Sequence, residues 1–333
     1  MQRLGNYALE GFLAKGGQGA VYRAHHVELG TPAAVKVFEG DDPRQLARFE
    51  QEARVLARLH HPSLPRVLDF GRDGRRAWFA MELVAGDNLA EKVKREGIPA
   101  PERVCEVLAA VAEALEVCHR EGVIHRDVKP QNVLVETATG RAVLADFGLL
   151  KLEAEGAART QGGQRLSLTG EVRGTPSFMA PEQAEGSSAG VGPAADVYGL
   201  GAALYYLLAG RPPFAGTTAY NVFFKLLNED PSDPRRFNPA APPELVRLAL
   251  RSLAKTPSER PPSAAAFAAA LRQTASRLAA PRRRAQAPSL PRGLAAGLAG
   301  AFLGAAALAL ALVLAPGHGG ASPPTASIVV DVA

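Results

Sequence analysis

The sequence predicts an α+β chain with a strand-rich first lobe, a helical second lobe and one apolar span at the end. Three observations carry this. Short β-like runs crowd residues 7–40. Helical periodicity takes over beyond residue 100. The stretch "GLAAGLAGAFLGAAALALALVLA", residues 293–315, holds no charge. Strands first and helices after favour segregated α+β lobes over a βαβ alternation, and no internal repeat is visible.

A chain of 333 residues has room for one large domain or two ordinary ones. Apolar residues make up 47% and charged residues 21%, which supports a sizeable core and excludes global disorder. The net charge of +5 is local: residues 262–333 carry six arginines and one acid, Asp331, leaving residues 1–261 balanced. A basic stretch beside an apolar run suits anionic lipid headgroups and argues against a nucleic-acid partner. Cys105 and Cys118 fall thirteen residues apart in one helical pattern, about 20 Å and beyond disulfide reach, so they read as small core residues in a reducing compartment. "MQRLGNYALEGFLAKGG" is broken by charges and glycines before a useful apolar core forms. No signal peptide is visible, and the start of the chain is expected to stay in the cytoplasm.

Element by element, "YALEGFL", "GAVYRAHH" and "AAVKVFE" read as strands, the first two joined by the glycine cluster "KGGQG". In the third, Ala34, Lys36 and Phe38 share one face. A lysine between Ala and Phe on an inward face suggests a task other than solvation. A helix follows, capped by Asp42 with Pro43 in its first turn and an apolar stripe of Leu46, Phe49, Ala53, Leu56 and Leu59. Periodicity leaves Glu50 and Glu52 both open as functional carboxylates on it. Two strand-like runs, "RVLDFG" and "AWFAMELV", precede a helix from Pro101 to His119. Beyond residue 140 come strands, a polar loop at about 151–175, then helices.

The chemistry concentrates in "GVIHRDVKPQNVLV", residues 122–135. It sets Asp127, Lys129 and Asn132 at offsets 0, +2 and +5, and "DFG" follows at 146–148. Asn132 and Asp146 offer oxygens of the kind Mg²⁺ prefers. Asp127 can accept a hydroxyl proton, and Lys129 can neutralise charge on a transferring phosphate. These are the parts a phosphoryl-transfer site needs.

On these motifs the sequence resembles a bacterial Hanks-type serine/threonine protein kinase, from about Tyr7 to Leu271. The resemblance implies a bilobal protein kinase-like fold and ATP as cofactor with Mg²⁺, or Mn²⁺ in its place. "AKGGQGAV" resembles the phosphate loop, with Gly16 and Gly19 matching and Ala14 standing where the family has its first glycine. "AAVK" implies that Lys36 holds the α- and β-phosphates, and the alignment of "EARVLARLHHP" selects Glu52 as its partner, leaving Glu50 as a solvated helix charge. "MELVAGDNL" resembles the hinge: Met81 as gatekeeper, Glu82 and Val84 offering backbone groups to adenine, and Val21, Ala34 and Leu134 enclosing the ring. His125 reads as a packed histidine. Arg126 marks the class whose activation loop is ordered by phosphorylation. "GTPSFMAPEQ" implies that Thr175 bridges Asp127 and Lys129, that Glu182 pairs with Arg260 of "PSERPP", and that Asp196 anchors the catalytic loop.

Lys129 and the "GTP" triplet imply Ser/Thr acceptors on protein substrates. Ser167 and Thr169 sit where relatives carry activating phosphates, with Thr160 a weaker candidate. Two rivals remain: a catalytically weak pseudokinase scaffold at the membrane, and a small-molecule kinase. All of Lys36, Glu52, Asp127, Lys129, Asn132 and Asp146 are present, against the first. The "GTP…APE" segment that docks peptides opposes the second.

The expected layout is a kinase domain at 7–272, with lobes at about 7–83 and 84–272, and a basic linker at 273–292. A transmembrane helix at 293–315 and a short extracytoplasmic tail at 316–333 complete it. The 23-residue span gives about 34 Å of helix against a hydrocarbon core of about 30 Å. Its nine Leu, Phe and Val residues contribute about −3 to −5 kcal/mol toward insertion. The alternative is an Ala-rich soluble helix packed on the domain. The upstream arginines mark the cytoplasmic side of the inner membrane. Gly293/Gly297 and Gly300/Gly304 have the GxxxG spacing of a homodimer contact, or reflect simple Gly/Ala richness.

Overall fold

A computed structural model describes residues 2–16, 19–40, 42–146, 176–185 and 191–280. Thr160, Ser167, Thr169, Thr175 and the stretch at 293–315 lie outside the described residues.

The first lobe is a six-stranded antiparallel sheet: β1 (Arg3–Leu4), β2 (Tyr7–Gly16), β3 (Gly19–His26), β4 (Pro32–Glu39), β5 (Val67–Asp73) and β6 (Arg76–Glu82), in the order β1-β2-β3-β4-β6-β5. The period-2 alternation of β4 sorts its residues to opposite faces. Ala33, Val35 and Val37 join Leu4, Tyr7 and Trp78 in one cluster. Phe38 faces the other way and meets helix α1 (Pro43–Leu56) through Phe49, which also packs on Phe79 of β6 with ring centroids 5.2 Å apart. Lys36 belongs to that α1-facing set. Asp42 caps α1 as expected, its carboxylate accepting from the Arg44 amide at 2.9 Å.

A three-stranded sheet, β7 (Gly86–Asn88), β8 (Val133–Glu136) and β9 (Ala142–Leu144), begins the second lobe. Its helices are α2 (Leu89–Glu96), α3 (Pro101–Arg120), α4 (Pro181–Ala184), α5 (Pro193–Ala209), α6 (Ala219–Asn228), α7 (Pro243–Ser252) and α8 (Ala264–Ala279). From Ala195 to Ala209 every residue of α5 is buried, so this helix is the pillar of the lobe. Two of its glycines let neighbours approach: a Cβ at Gly199 would strike Val128, and one at Gly201 would strike Ser252. The two cysteines are buried in α3, and burial pushes their thiols up to about 11 and about 12, which keeps them inert.

The structure differs from the sequence reading in three places. Helix α8 runs through Ala279 and buries Thr274 against the lobe, so residues 273–279 are helix where a linker is expected. The stripe Phe267, Leu271, Thr274 and Leu278 keeps helical spacing past that boundary. Strand β1 extends the sheet ahead of residue 7 by pairing Leu4 with Tyr7. Glu50 is buried, not solvated: Arg72 of β5 donates to Glu50 Oε1 through Nε at 2.7 Å and through Nη2, and Arg54 donates to Oε2 at 3.2 Å. Among the described residues, no helix is long and apolar enough to cross a membrane.

Candidate active site

Helical spacing turns Glu50 and Glu52 to different neighbours. Lys36 Nζ donates to Glu52 Oε1 at 2.7 Å, with the lysine side chain 7% and the glutamate 1% exposed. Burial pushes the Glu52 carboxyl above its usual range, and the Lys36 ammonium opposes that rise. The lysine ammonium also lies 5.8 Å from the centre of the Phe79 ring, a second contact beside the Glu52 carboxylate.

The loop between α3 and β8 supplies the second cluster. Lys129 Nζ donates to Asp127 Oδ2 at 2.8 Å, and Asn132 Nδ2 donates to the same oxygen at 3.0 Å and to the Asp127 carbonyl at 2.8 Å. With its Nδ2 committed to Asp127, the side-chain amide keeps its Oδ1, an acceptor, out of these bonds. The single 3₁₀ turn Pro130–Asn132 fixes the spacing of Lys129 and Asn132. The Ala145 amide donates to the Asn132 carbonyl at 2.8 Å, which ties the loop to the residue before Asp146.

Asp196, buried at the N-terminal end of α5, holds this loop from behind. Its Oδ2 accepts from the His125 amide at 2.8 Å and its Oδ1 from the Arg126 amide at 2.7 Å. His125 is fully buried, and burial lowers its pKa. Its Nδ1 accepts from the Asp127 amide at 3.2 Å and its Nε2 donates to the Ala145 carbonyl at 3.2 Å. These two bonds select the neutral tautomer with the proton on Nε2.

Arg126 and Asp146 are the two non-glycine residues with positive φ among the described residues, at 66° and 56°. Such backbone costs about 1–3 kcal/mol and concentrates at functional sites. Both flank the candidate chemistry. Arg126 is held from two sides: its amide by Asp196, and its carbonyl by Gln183 Nε2 at 3.0 Å. Gln183 Oε1 in turn accepts from the Ala180 amide at 3.1 Å, so this side chain joins the end of the "APEQ" segment to the loop. Neither Gln183 nor His119, whose Nε2 donates to Asp196 Oδ2 at 2.8 Å, stood out in the sequence. Both contacts depend on segments far apart in the chain.

Other expected residues fall as follows. Ala34 lies opposite Met81 in the β4–β6 ladder, and Val21 lies opposite Lys36 in the β3–β4 ladder. Ala14 pairs with Val21 and is exposed. Gly16 pairs with Gly19, which closes the glycine hairpin. Gly19 has φ 136° and a Cβ there would strike the Val37 carbonyl, so the fold itself demands glycine at this point. Glu82 ends β6, Val84 follows in the connection to β7, and Leu134 lies half-buried in β8. Glu182 and Arg260 meet in a bidentate pair at 2.6 and 2.8 Å.

The donor set fits Mg²⁺ held jointly with phosphate. Asn132 and Asp146 would supply two oxygens to such an ion, which takes few protein ligands where substrate phosphates complete its shell. Among the described residues no group of three His, Cys, Asp or Glu side chains forms a fuller cage.

Comparison with known proteins accords with this geometry. A family profile described as a protein kinase domain matches residues 7–271. The chain is 39% identical over 274 residues to the serine/threonine-protein kinase pkn3 of Myxococcus xanthus, covering 80% of this chain and 49% of that protein. It is 36% identical over 285 residues to the serine/threonine-protein kinase PknL of Mycobacterium tuberculosis, covering 85% and 69%. The chain thus spans about half the length of the first relative and about two thirds of the second. The crystal structure of Rad53 1-466 in complex with AMP-PNP matches the fold with a TM-score of 0.65 at 23% identity, covering 79% of this chain and 64% of that one. The chain therefore belongs to the protein kinase family, and residues 7–271 are a serine/threonine protein kinase domain of the bacterial type.

Proposed function

We propose that this chain transfers the γ-phosphoryl group of ATP to serine and threonine hydroxyls of proteins. The observation that carries the reading is the Asp127 carboxylate bonded by Lys129 and Asn132 on a loop pinned by buried Asp196. ATP bound with Mg²⁺ supplies the phosphoryl donor. Asp127 orients the acceptor hydroxyl and takes its proton. Lys129 lies beside that carboxylate, ready to offset charge on the phosphoryl oxygens. Asn132 and Asp146 hold the metal through their oxygens. Lys36, held by Glu52, is fixed for the α- and β-phosphates. Ala14, Gly16, Gly19, Val21, Ala34, Met81, Glu82, Val84 and Leu134 frame the nucleotide. Catalysis in such a site comes from positioning and electrostatics. The test is phosphate incorporation into a generic protein substrate by the full chain with Mg²⁺ and ATP, beside Asp127→Asn. Equal incorporation by both would refute catalysis by this site.

The same reading extends to regulation and location. Thr175 bridges Asp127 and Lys129 in the active state, and autophosphorylation of Ser167 or Thr169, with Thr160 less favoured, switches the enzyme on. Mass spectrometry finding all three bare in a highly active preparation would reject that. Residues 293–315 anchor the chain in the inner membrane with the kinase on the cytoplasmic side, the basic linker on anionic lipid and the GxxxG spacings at a dimer contact. The support is the uncharged 23-residue run and the arginines before it. The anchor predicts recovery in the carbonate-washed membrane fraction, lost on truncation after Ala280.

A further inference from the structure

Two segments of the chain rest on one hairpin of the second lobe, β8–β9: the α1–β5 loop of the first lobe, and the segment from β6 to β7 that joins the two lobes. The Leu144 amide of β9 donates to the Ser63 carbonyl of the first at 2.9 Å. The Thr137 amide, just past β8, donates to the Ala85 carbonyl of the second, also at 2.9 Å. Between these backbone bonds sits Arg141, just before β9. Its Nη1 donates to the Pro62 carbonyl at 3.1 Å, its Nη2 donates to Glu82 Oε1, and its Nε lies 3.4 Å from Glu136 Oε2. Arg141 thus bonds both the first-lobe loop, at Pro62, and the start of the inter-lobe segment, at Glu82. Its guanidinium is held strongly protonated, chiefly by the Glu82 carboxylate.

We propose that Arg141 is a positioning residue for nucleotide binding, setting the backbone of Glu82 through that residue's side chain. This rests on the reading that the Glu82 and Val84 backbone meets adenine. The physical argument is the planar fork. Three donors on one rigid plane fix Glu82, Pro62 and Glu136 relative to each other, where a lysine offers a point charge. Glu82 is the last residue of β6, and its amide is already held by the Arg66 carbonyl at 2.9 Å. With the side chain also clamped, its peptide loses its remaining freedom before the ligand arrives, which lowers the ordering cost of binding. Arg141 touches no expected nucleotide atom, so its effect must pass through Glu82.

The test is calorimetric titration of ATP with Mg²⁺ into the full chain, with steady-state kinetics and a melting curve for each variant. Arg141→Met is expected to weaken ATP binding about tenfold and to raise the ATP KM in parallel, with a smaller fall in kcat and little change in the KM for protein substrate. Arg141→Lys should lie between it and the parent, and Glu82→Gln should weaken binding about threefold. ATP affinity within twofold of the parent in Arg141→Met would overturn the proposal. So would a loss confined to kcat and melting temperature, the mark of a merely structural role. If Arg141→Met does not fold, Arg141→Lys and Glu82→Gln decide by the same criterion. A parent protein that binds no ATP would reject the nucleotide reading itself, and this proposal with it.

Discussion

Glu52 of α1 accepts a 2.7 Å bond from Lys36 of β4, and burial of the pair is nearly complete. Desolvating two charges is unfavourable, and their attraction offsets that only while both are present. The consequence is both catalytic and pH-dependent. Lys36→Met should lower kcat/KM about 10²- to 10³-fold, the usual effect of removing one preorganised charge from an active site. It also leaves Glu52 with burial unopposed, so the carboxyl pKa, already raised, rises further. A raised carboxyl gives its stability below the ordinary carboxylate range and loses it as pH rises through the folded value. The stability gap between parent and Lys36→Met should therefore be small near pH 5 and widen toward pH 8. Urea unfolding at the two pH values checks this, and a gap that narrows with pH would refute it.

His125 gives the opposite sign. Its pKa is lowered from 6.5, mainly by burial. The unfolded chain thus takes up the proton first as pH falls. The stability contributed by the neutral ring is present above about 6.5 and is lost as pH falls through the lower folded value. His61 is shifted in the same direction by burial and adds to the slope. Each group contributes at most about 1.4 kcal/mol per pH unit. Protonating Nδ1 would also set an N–H against the Asp127 amide, so the acid form damages the loop that bears Asp127. Ring-nitrogen NMR at pH 7 should show His125 as the Nε2–H tautomer, with its titration displaced below the ordinary histidine value. A signal titrating at the ordinary histidine value would contradict this.

What was legible in the sequence, and what was not, separates along a physical line. Motif spacing put Asp127, Lys129 and Asn132 on one loop because five residues of backbone can bring them together whatever surrounds them. Strand alternation put Lys36 on the inner face for the same local reason. Glu50 and Glu52 could not be told apart by periodicity, because both lie near the buried edge of α1. Only the placement of β5 shows that Arg72 takes Glu50. Gln183, His119 and Arg141 act on partners 57, 77 and 59 residues away, at Arg126, Asp196 and Glu82. No local pattern marks such contacts.

Arg260 is a case where the conservative substitution should fail. Its side chain is fully buried and all five N–H groups are used. Nε donates to the Ala254 carbonyl, Nη1 to Glu182 Oε1 and the Ala194 carbonyl, and Nη2 to Glu182 Oε2 and the Lys255 carbonyl, all between 2.6 and 3.0 Å. A lysine has three donors and no planar fork. Arg260→Lys thus leaves at least two buried acceptors unmet and should cost about 3 kcal/mol. Thermal or urea unfolding measures it, and a loss under about 1 kcal/mol would show that the network relaxes around the ammonium.

Gly199 sets helix propensity against packing. An alanine inside a helix is ordinarily favoured over glycine by about 1 kcal/mol. At Gly199 the added Cβ would lie 2.7 Å from Val128 Cβ and 2.8 Å from the Val128 carbonyl oxygen. Helix α5 is buried on every side around this point, so it cannot back away, and the strain passes to Val128, next to Asp127. Overpacking of this kind costs about 1–3 kcal/mol, enough to outweigh the propensity gain. Gly199→Ala should therefore lower the melting temperature and reduce kcat about tenfold, a shift of ~1.4 kcal/mol in the barrier. Gly11→Ala is the control, since a Cβ there meets nothing within 4 Å. If Gly199→Ala proves as stable and as active as Gly11→Ala, then α5 does not hold the catalytic loop by contact at Val128.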